Sequence, residues 1–412
     1  MNVKLALILV GGLGTRLGKL TAETPKPLLD CAGRPFLGWV LRELCRYGIE
    51  EVILLAGFRS DKIESFCQNV QQTLPRPLNL KISIEPELAG TGGALWHARD
   101  LLQEHFLLLN GDSWFDANLA RFLHAASNFS RSSGTMLLRR VEDSSRYGYV
   151  ELVDGRVTAF HEKTQNAGEG LINSGISVLS RQVLEYASPK CSLERDIYPQ
   201  LVCQGELHGV ELEGYFVDIG IPDDYSRAVR DLPARLLRPA VFFDRDGILN
   251  KDFGWEESLE RFEWIPGAKL ALRSATDRGY HVFVVTNQAG VARGMYSEED
   301  VSRLHEHLKN EVLAEGGTVD DIVYCPYHPE GTVERYRGAS KYRKPEPPGV
   351  LLDLIRRWEV DVEGSLLVGD KPSDIQAASA AQVRGYLYKH DNLLDFMNTV
   401  VWQAATRDYN HD

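Results

Sequence analysis

Residues 5–14 read Leu-Ala-Leu-Ile-Leu-Val-Gly-Gly-Leu-Gly, an apolar run that breaks into a glycine-rich loop. Residues 240–247 read Ala-Val-Phe-Phe-Asp-Arg-Asp-Gly, a second apolar run that breaks into a loop with two carboxylates. Around both stretches, short apolar segments such as 52–55 and 282–285 alternate with helix-like ones. This alternation predicts an α/β protein made of two doubly wound domains with mainly parallel sheets.

The two strand-to-loop stretches, residues 5–14 and 240–247, also indicate where the domains begin. A chain of 412 residues is too long for one ordinary core. We expect a first domain at residues 1–232, a second at 240–390 and a helical, then frayed, tail at 391–412. The linker is placed at 233–239, because the chain there and just before it carries prolines and charges.

The composition limits the partners of the chain. A formal net charge of −12 argues against a nucleic-acid surface, since phosphate backbones need clustered Lys and Arg. No apolar run is long enough to span a membrane, and the apolar start runs into glycines without a signal-peptide cleavage site. The six cysteines show no paired spacing, so we expect free thiols and a cytoplasmic location.

The first loop carries residues suited to phosphate binding. Arg16 adds a bidentate cation, and Lys26 is held rigidly between two prolines, where it could stabilise charge on a transferring phosphate. A glycine loop alone is equally compatible with a structural turn. Four loop residues are expected to cradle nucleotide phosphates with their backbone amides: Gly11, Gly12, Gly14 and Thr15.

The order of these motifs resembles the sugar-1-phosphate nucleotidyltransferases along the predicted first domain. The glycine loop followed by Thr-Arg-Leu, and then Pro-Lys-Pro-Leu, carries the likeness. The resemblance implies a Rossmann-like nucleotidyltransferase fold, with Mg²⁺ held by Asp112 and Asp218. Arg16 and Lys26 would be catalytic, stabilising the α-phosphate and the leaving pyrophosphate. Taken alone, Asp112 could be a turn residue and Asp218 a helix cap.

The same resemblance implies contacts to the base and to the sugar. Segment 85–94 looks like the base- and ribose-contacting loop of guanylyltransferases, so we expect GTP as the nucleotide. Glu85 would favour guanine, whose N1–H and N2 amine need an acceptor. Nucleotide contacts are expected from Glu85, Gly92, Gly93 and Asp112. Sugar contacts are expected from Glu162, Lys163, Asn173 and Gly175, although Glu162 and Lys163 are also compatible with a surface ion pair.

The second half brings polar side chains to several predicted strand ends. Asp244 and Asp246 lie two residues apart, which lets one carboxylate attack while the other transfers a proton. Thr286 follows another apolar run, Lys344 lies in an Arg-Lys-Pro segment, and Asp370 ends a third run. On its own, Asp-x-Asp-Gly is also compatible with a simple turn.

This set resembles the haloacid-dehalogenase superfamily over residues 240–390. The resemblance implies that Asp244 forms an aspartyl phosphate, and that Asp246 protonates the leaving hydroxyl and then activates water. Thr286 and Lys344 would hold the phosphoryl oxygens. The fold would lack a large cap, because the chain between Asp246 and Thr286 is too short to form one.

Further roles in the second half follow from the same resemblance. The implied Mg²⁺ ligands are Asp244, Asp246 and Asp370. The implied substrate contacts are Asp252, Trp255, Asn287, Arg343 and Lys371, with Asp374 as a supporting residue.

A loop at 324–342 departs from the nearest families that the second half resembles, the heptose bisphosphate phosphatases and histidinol phosphatases. Those relatives often hold a structural zinc with C-x-H and C-x-C pairs. In this chain, Cys325 is the only one of the four ligand positions with a zinc-binding residue. The other three positions hold Tyr327, Ser340 and Tyr342, and His328 lies one residue after the position where the histidine is expected. A tetrahedral zinc needs four ligands, so we predict no zinc and aromatic packing by Tyr327, Tyr336 and Tyr342 instead.

The fusion of the two halves suggests consecutive steps on one metabolite. The first half also looks most like heptose-1-phosphate guanylyltransferases, so GTP and sugar phosphates are the expected substrates. The phosphatase half would remove the 7-phosphate of a heptose 1,7-bisphosphate, and the transferase half would convert the heptose 1-phosphate to GDP-heptose. Three alternatives are a hexose or cyclitol phosphate, another nucleotide, and a catalytically silent half that acts as a sensor or scaffold. A homo-oligomer is compatible with the sequence, which leaves the oligomeric state open.

Overall fold

The computed structural model describes residues 3–144, 149–161, 168–254, 261–345 and 347–403. Two compact units make up the chain, Met1–Arg235 and Leu236–Asp412. None of the described helices has both the length and the apolar composition needed to cross a bilayer.

The first unit is built on a nine-stranded sheet in the order β3-β2-β1-β4-β9-β6-β10-β8-β7, with β5 and β11 forming a separate antiparallel pair. Its strands are β1 Leu5–Leu9, β2 Glu51–Ala56, β3 Asn79–Ile84, β4 His105–Asn110, β5 Ser113–Asp116, β6 Gly134–Val141, β7 Tyr149–Val153, β8 Arg156–His161, β9 Gly170–Ser180, β10 Leu207–Glu211 and β11 Tyr215–Asp218. Its helices are α1 Phe36–Leu44, α2 Ser60–Val70, α3 Gly90–His97, α4 Leu119–Ser127, α5 Tyr198–Gln204 and α6 Pro222–Leu236.

The expectation of a mainly parallel sheet is wrong for about half of the strand pairings in this unit. Strands β1 to β4 pair in parallel, but β9 runs antiparallel to β4, β6 and β7, and β8 runs antiparallel to β7 and β10. Residues Leu5, Leu7 and Ile8 of β1 are fully buried, which explains the unbroken apolar run of a strand covered on both faces. The direction of these strands could not be predicted from the sequence, because the alternation of elements does not specify which distant strands pair.

The second unit contains a five-stranded sheet whose pairings are all parallel, in the order β14-β13-β12-β15-β16. Its strands are β12 Pro239–Phe243, β13 His281–Asn287, β14 Asp321–Cys325, β15 Asp361–Gly369 and β16 Arg384–Leu387. Its helices are α7 Ala268–Asp277, α8 Ala289–Ala292, α9 Glu298–Ala314, α10 Gly349–Trp358, α11 Pro372–Ala380 and α12 Leu393–Phe396. Here the doubly wound parallel sheet is as expected.

The expected linker at 233–239 differs from the structure. Helix α6 continues through Pro233 to Leu236, and β12 already begins at Pro239. The helix persists because Ala228 and Leu232 on its inner side are fully buried, which compensates for the hydrogen bond that the proline cannot make. Leu237 and Arg238 alone join the two elements.

The expected tail at 391–412 is, in its described part, integral to the second unit. Helix α12 is followed by a helical turn at Met397–Val401, and Leu393, Met397 and Val401 are fully buried in the same apolar cluster as β12 and β13. Trp402 packs its ring 5.3 Å from that of Tyr280. The expected helix is present, but its packing on the core was not predicted, because these apolar residues show no motif and their partners lie far away in the chain.

Trp402→Ala should therefore destabilise the second unit, because it removes a large buried ring from the core. We expect a loss of about 3–5 kcal/mol in the free energy of unfolding, measured by urea denaturation. The matched control is Leu352→Ala, at an exposed leucine, which should change stability by no more than about 0.5 kcal/mol. Equal stability of the two variants would contradict the packing of this segment.

Candidate active sites

The first candidate site lies where the topology of the first unit reverses. Strand β1 is flanked by β2 and β4, and the chain leaves β1 into Gly11 and leaves β4 at Asn110. Such a point opens a crevice at the carboxyl ends of the strands, the usual ligand position in open α/β sheets.

A cavity of about 500 Å³ occupies this crevice. Eight of the predicted nucleotide-binding or catalytic residues line it: Gly11, Gly12, Gly14, Thr15, Arg16, Lys26, Glu85 and Asp112. Asn110, Gly90, Thr91 and Glu194 line it as well. The volume lies within the range of small-molecule sites.

Gly92 and Gly93 are not among the residues that line the cavity, and their nucleotide contact stays a prediction. Their amides both donate to the carbonyl oxygen of Cys191 at 3.0 Å. A Cβ on Gly92 would lie 2.7 Å from the Cys191 Sγ, and one on Gly93 would lie 2.8 Å from the Pro189 carbonyl oxygen. The glycines are needed because another segment of the chain packs against them.

Asp112 and Asp218 come together although they are far apart in sequence. Strand β5 pairs with β11 in a register that places Asp218 opposite Ser113, and the Ile219 amide donates to the Asp112 carbonyl oxygen at 2.9 Å. The Lys26 ammonium lies between the carboxylates, 2.6 Å from Asp112 Oδ2 and 3.3 Å from Asp218 Oδ1. Burial and the neighbouring Asp112 charge raise the pKa of Asp218. Two facing carboxylates that need a cation suit Mg²⁺.

The cavity lining combines a carboxylate with apolar side chains. Glu85 Oε2 accepts a hydrogen bond from the Ala89 amide at 3.2 Å, and burial raises the pKa of this carboxyl group. Leu13 and Leu88, both lining the cavity, expose 43% and 48% of their surface. An acceptor beside exposed leucines suits a planar base that carries N–H donors.

Glu194 is a cavity residue that the sequence reasoning missed. Its Oε2 accepts hydrogen bonds from the hydroxyls of Thr91 at 2.9 Å and Ser192 at 2.8 Å. No sequence signal indicated it, because it lies in a π-helical turn at Leu193–Ile197 that only the tertiary structure brings to the first turn of α3.

The predicted sugar-contacting residues are only partly described. Gly175 packs against the Asn110 side chain, and its amide donates to Asn173 Oδ1 at 2.9 Å. Asn110 lines the cavity, so these residues adjoin it through that side chain. Glu162 and Lys163 lie outside the described residues.

The second candidate site has the same topological origin. Strand β12 is flanked by β13 and β15, and Asp244 and Asp370 directly follow β12 and β15. Carboxylate oxygens of Asp244, Asp370 and Asp374 lie within 4.8 Å of one another. Asp370 Oδ1 is buried and has no hydrogen-bond partner in the described part of the chain, and burial raises the pKa of Asp370. These residues fit a divalent cation bound by oxygen ligands.

Lys344 forms ion pairs with two of these carboxylates, Asp244 and Asp374. Its ammonium lies 3.0 Å from Asp244 Oδ1 and 2.7 Å from Asp374 Oδ1, and it donates to the Val285 carbonyl oxygen at 2.9 Å. Burial raises the pKa of Asp244 to about 6, although the Lys344 charge lowers it. A bound cation would favour the ionised form of Asp244, because it opposes the repulsion from neighbouring carboxylates.

Asp246 lies outside the carboxylate cluster of Asp244, Asp370 and Asp374, and its role as a metal ligand stays a prediction. Arg245 donates to both of its oxygens at 3.0 and 2.9 Å, while Asn250 and Gln288 donate at 3.0 and 2.9 Å. Burial would raise the pKa of Asp246, but Arg245 and the amide donors outweigh it and the pKa lies below its usual value. Asp374, predicted only as a supporting residue, takes the third place in the cluster.

The remaining predicted residues fall into different positions. Thr286, at the end of β13, is buried. Asn287 exchanges two hydrogen bonds of 3.1 Å with the backbone of Lys344, so its amide holds that lysine's loop. The Lys371 ammonium lies 3.5 Å from Asp252 on the exposed rim, and Arg343 donates to a loop carbonyl at 3.2 Å. Trp255 lies outside the described residues.

The loop predicted to replace a zinc site is held by tyrosines. Tyr336 is buried, its ring lies 5.8 Å from that of Tyr327, and its hydroxyl donates to Glu298. The Tyr324 hydroxyl donates to the same carboxylate at 2.8 Å. Among the described residues, Tyr342 does not join this packing. The Lys341 ammonium lies over its ring, 5.2 Å from the ring centroid. The absence of zinc stays a prediction.

The fold and the first site together define a nucleotide-binding α/β enzyme. The nucleotidyl transferase family model matches residues 5–235. The chain is 36% identical over 230 residues to the D-glycero-alpha-D-manno-heptose 1-phosphate guanylyltransferase of Aneurinibacillus thermoaerophilus, covering 55% of this chain and 97% of the relative. A solved structure of HddC from Yersinia pseudotuberculosis is 32% identical, with a TM-score of 0.50, 56% of this chain covered and 100% of that chain.

The other half of the chain has relatives of a different kind. It is 43% identical over 164 residues to the D-glycero-beta-D-manno-heptose-1,7-bisphosphate 7-phosphatase of Rhodopseudomonas palustris, covering 40% of this chain and 91% of the relative. The chain therefore belongs to the nucleotidyl transferase family, and its other half belongs to the family of this phosphatase.

Proposed function

We propose that the chain is a bifunctional enzyme that makes a GDP-heptose from a heptose 1,7-bisphosphate. One observation carries this proposal: each unit brings two carboxylates and a lysine together beside the carboxyl end of a central strand, β4 in the first unit and β12 in the second. Lys26 with Asp112 and Asp218 forms the first set. Lys344 with Asp244 and Asp374 forms the second. The guanylyltransferase and phosphatase relatives support one activity in each half.

The phosphatase step fits a haloacid-dehalogenase-type site without a large cap. An Asp244 oxygen attacks phosphorus, and the bond from phosphorus to the sugar oxygen breaks as that oxygen takes a proton from Asp246. Water then attacks the aspartyl phosphate, returns a proton to Asp246 and releases inorganic phosphate. Thr286 and Lys344 bind the phosphoryl oxygens. Because the surroundings of Asp246 favour its ionised form, they suit the second step, in which it acts as a base.

The divalent cation of the second site would be Mg²⁺, held by Asp244, Asp370 and Asp374. When bound, it neutralises phosphoryl charge and keeps the nucleophile ionised. Arg343, Lys371 and Asp252 would contact the rest of the substrate from the rim.

The transferase step requires no protein nucleophile. A sugar phosphate oxygen attacks the α-phosphorus of GTP and pyrophosphate leaves, so catalysis consists of positioning and charge neutralisation. Arg16, Lys26 and the glycine-loop amides bind the phosphates. Asp112 and Asp218 would hold Mg²⁺, which supplies further charge neutralisation when bound. Asn173 and Gly175 would act at the sugar through Asn110.

The base and the sugar follow from the cavity and from the relatives. Glu85 offers the acceptor that guanine N1–H and N2 need, in a cavity that Leu13 and Leu88 also line. The transferase relative is named for the α-anomer and the phosphatase relative for the β-anomer. Two halves that act in series must share one anomer, and we assign the α-anomer because the transferase takes the anomeric phosphate itself. The phosphatase acts first, although it is C-terminal.

Incubation of the whole chain with D-glycero-α-D-manno-heptose 1,7-bisphosphate, Mg²⁺ and GTP tests this function. We expect phosphate release to precede GDP-heptose formation, and single-turnover assays with four triphosphates to favour GTP. Faster turnover of mannose 1-phosphate than of heptose 1-phosphate would favour the hexose alternative. A preference for UTP or CTP would exclude the assigned role of Glu85, and a unit without activity would be the silent sensor.

A further inference from the structure

We propose that Gln288 is a positioning residue that orients both the phosphoryl-binding hydroxyl of Thr286 and the proton-transferring carboxylate of Asp246, and that Tyr296 fixes its orientation. The inference rests on the proposed phosphatase function and deepens it. Neither Gln288 nor Tyr296 has a role in the reaction as outlined above.

The geometry consists of one side-chain amide with three polar contacts. Gln288 Nε2 donates to Asp246 Oδ2 at 2.9 Å and to Thr286 Oγ1 at 3.0 Å. The Tyr296 hydroxyl donates to Gln288 Oε1 at 2.6 Å. Gln288 exposes 1% of its surface and Thr286 2%, so little water is available to replace these hydrogen bonds.

Chemistry assigns the orientation of the amide. An ionised carboxylate only accepts hydrogen bonds, so the end of Gln288 that faces Asp246 must be the NH₂ group. The other end is then the carbonyl oxygen, and the Tyr296 hydroxyl, which can donate, is its matching partner. Rotation of the amide by half a turn would set two acceptors against each other at Asp246 in a buried site.

The same amide determines the direction of the Thr286 proton. A hydroxyl has one proton to donate, and Thr286 already accepts from the second N–H of Gln288. Its own proton is therefore directed to another acceptor, and the phosphoryl oxygen of the substrate fills that role. One rigid side chain thus sets a donor to the phosphoryl group and the carboxylate that exchanges a proton with the sugar oxygen.

The absence of a side chain at Gly290 leaves space for the Tyr296 ring. A Cβ on Gly290 would lie 2.1 Å from a ring carbon of Tyr296, so the tyrosine reaches Gln288 only because residue 290 is glycine. The Tyr296 ring also packs against the buried side chains of Val291, Val301 and Tyr336. The hydroxyl is therefore held in place by a packed ring.

The test compares two leaving groups in the whole protein. Heptose 1,7-bisphosphate releases an alkoxide that must be protonated, whereas 4-nitrophenyl phosphate releases a stable phenolate that needs no proton. For Tyr296→Phe, we expect kcat/KM to fall about tenfold with the sugar bisphosphate and about threefold with the aryl ester, because both substrates use Thr286 and only the sugar oxygen needs the proton from Asp246. Gln288→Glu, which keeps the shape but turns the donor into an acceptor, should show a larger fall, about 100-fold, with the same selectivity.

The matched control is Tyr386→Phe, which removes a buried hydroxyl that has no hydrogen-bond partner among the residues described. It should leave both substrates unaffected. An equal fall on the two substrates would contradict the proposed orientation of Asp246, because only the sugar bisphosphate needs its proton, and an unchanged kcat/KM on both would remove the positioning role. The proposed function fails in a different way, because the wild-type chain would then release no phosphate from either compound.

Discussion

Replacement of Asp244 by asparagine is expected to abolish phosphate release from the sugar bisphosphate, with a loss on the order of 10⁴-fold or more in kcat. The asparagine amide has nearly the same shape but cannot form the acyl phosphate. It also removes one charge from the group formed with Lys344 and Asp374. The nucleotidyl transfer activity with heptose 1-phosphate and GTP should remain at the wild-type level, because that site belongs to the other unit.

Phosphate release and GDP-heptose formation are both measured on this variant. The matched control in the same unit is Asp353→Asn, whose carboxylate pairs with Arg356 and Arg357 on helix α10. It makes the same chemical change away from the cluster and should keep both activities. Residual phosphatase activity above about one hundredth of the wild type would show that Asp244 is not the nucleophile.

Asp112→Ala is expected to produce the opposite pattern. Nucleotidyl transfer should fall by about 10²–10³-fold, because one of the two carboxylates that face each other across Lys26 is lost. Lys26 would then pair with Asp218 alone, and the remaining carboxylate would bind a divalent cation weakly. Phosphate release from the bisphosphate should be unchanged.

The measurement is pyrophosphate release from GTP and heptose 1-phosphate over a range of Mg²⁺ concentrations. We expect the variant to need more Mg²⁺ for half-maximal rate. The control in this unit is Asp61→Ala, at an exposed acid in the first turn of helix α2, which should behave like the wild type. An unchanged Mg²⁺ dependence in Asp112→Ala would exclude Asp112 as a cation ligand.

The strand ends were the part of both sites that the sequence predicted best. The apolar runs before Gly11 and Asp244 are central strands, and the polar residues that follow them line the two candidate sites. This succeeded because parallel strands expose their carboxyl ends at one edge of the sheet. A local motif at the end of a buried strand therefore already specifies a position in space.

The partners of individual side chains and amides could not be predicted from the motifs. Gly92 and Gly93 matched a nucleotide-binding motif, yet the segment around Cys191 packs on them. Asp246 matched a ligand pattern, yet Arg245 and its neighbours take up the carboxylate. The Cys191 segment lies outside the glycine motif. Arg245 lies inside the aspartate motif, but the motif does not specify its rotamer.

The sequence by itself determined the two α/β halves, their order and the chemistry of each strand-end loop, because alternating elements and local motifs are properties of neighbouring residues. Only the tertiary structure decided that Asp374 completes the carboxylate cluster and that Lys26 lies between two distant aspartates. It also showed that Gln288 links Thr286 with Asp246. These contacts depend on strand register, rotamers and burial, which are set by pairings between segments far apart in the chain.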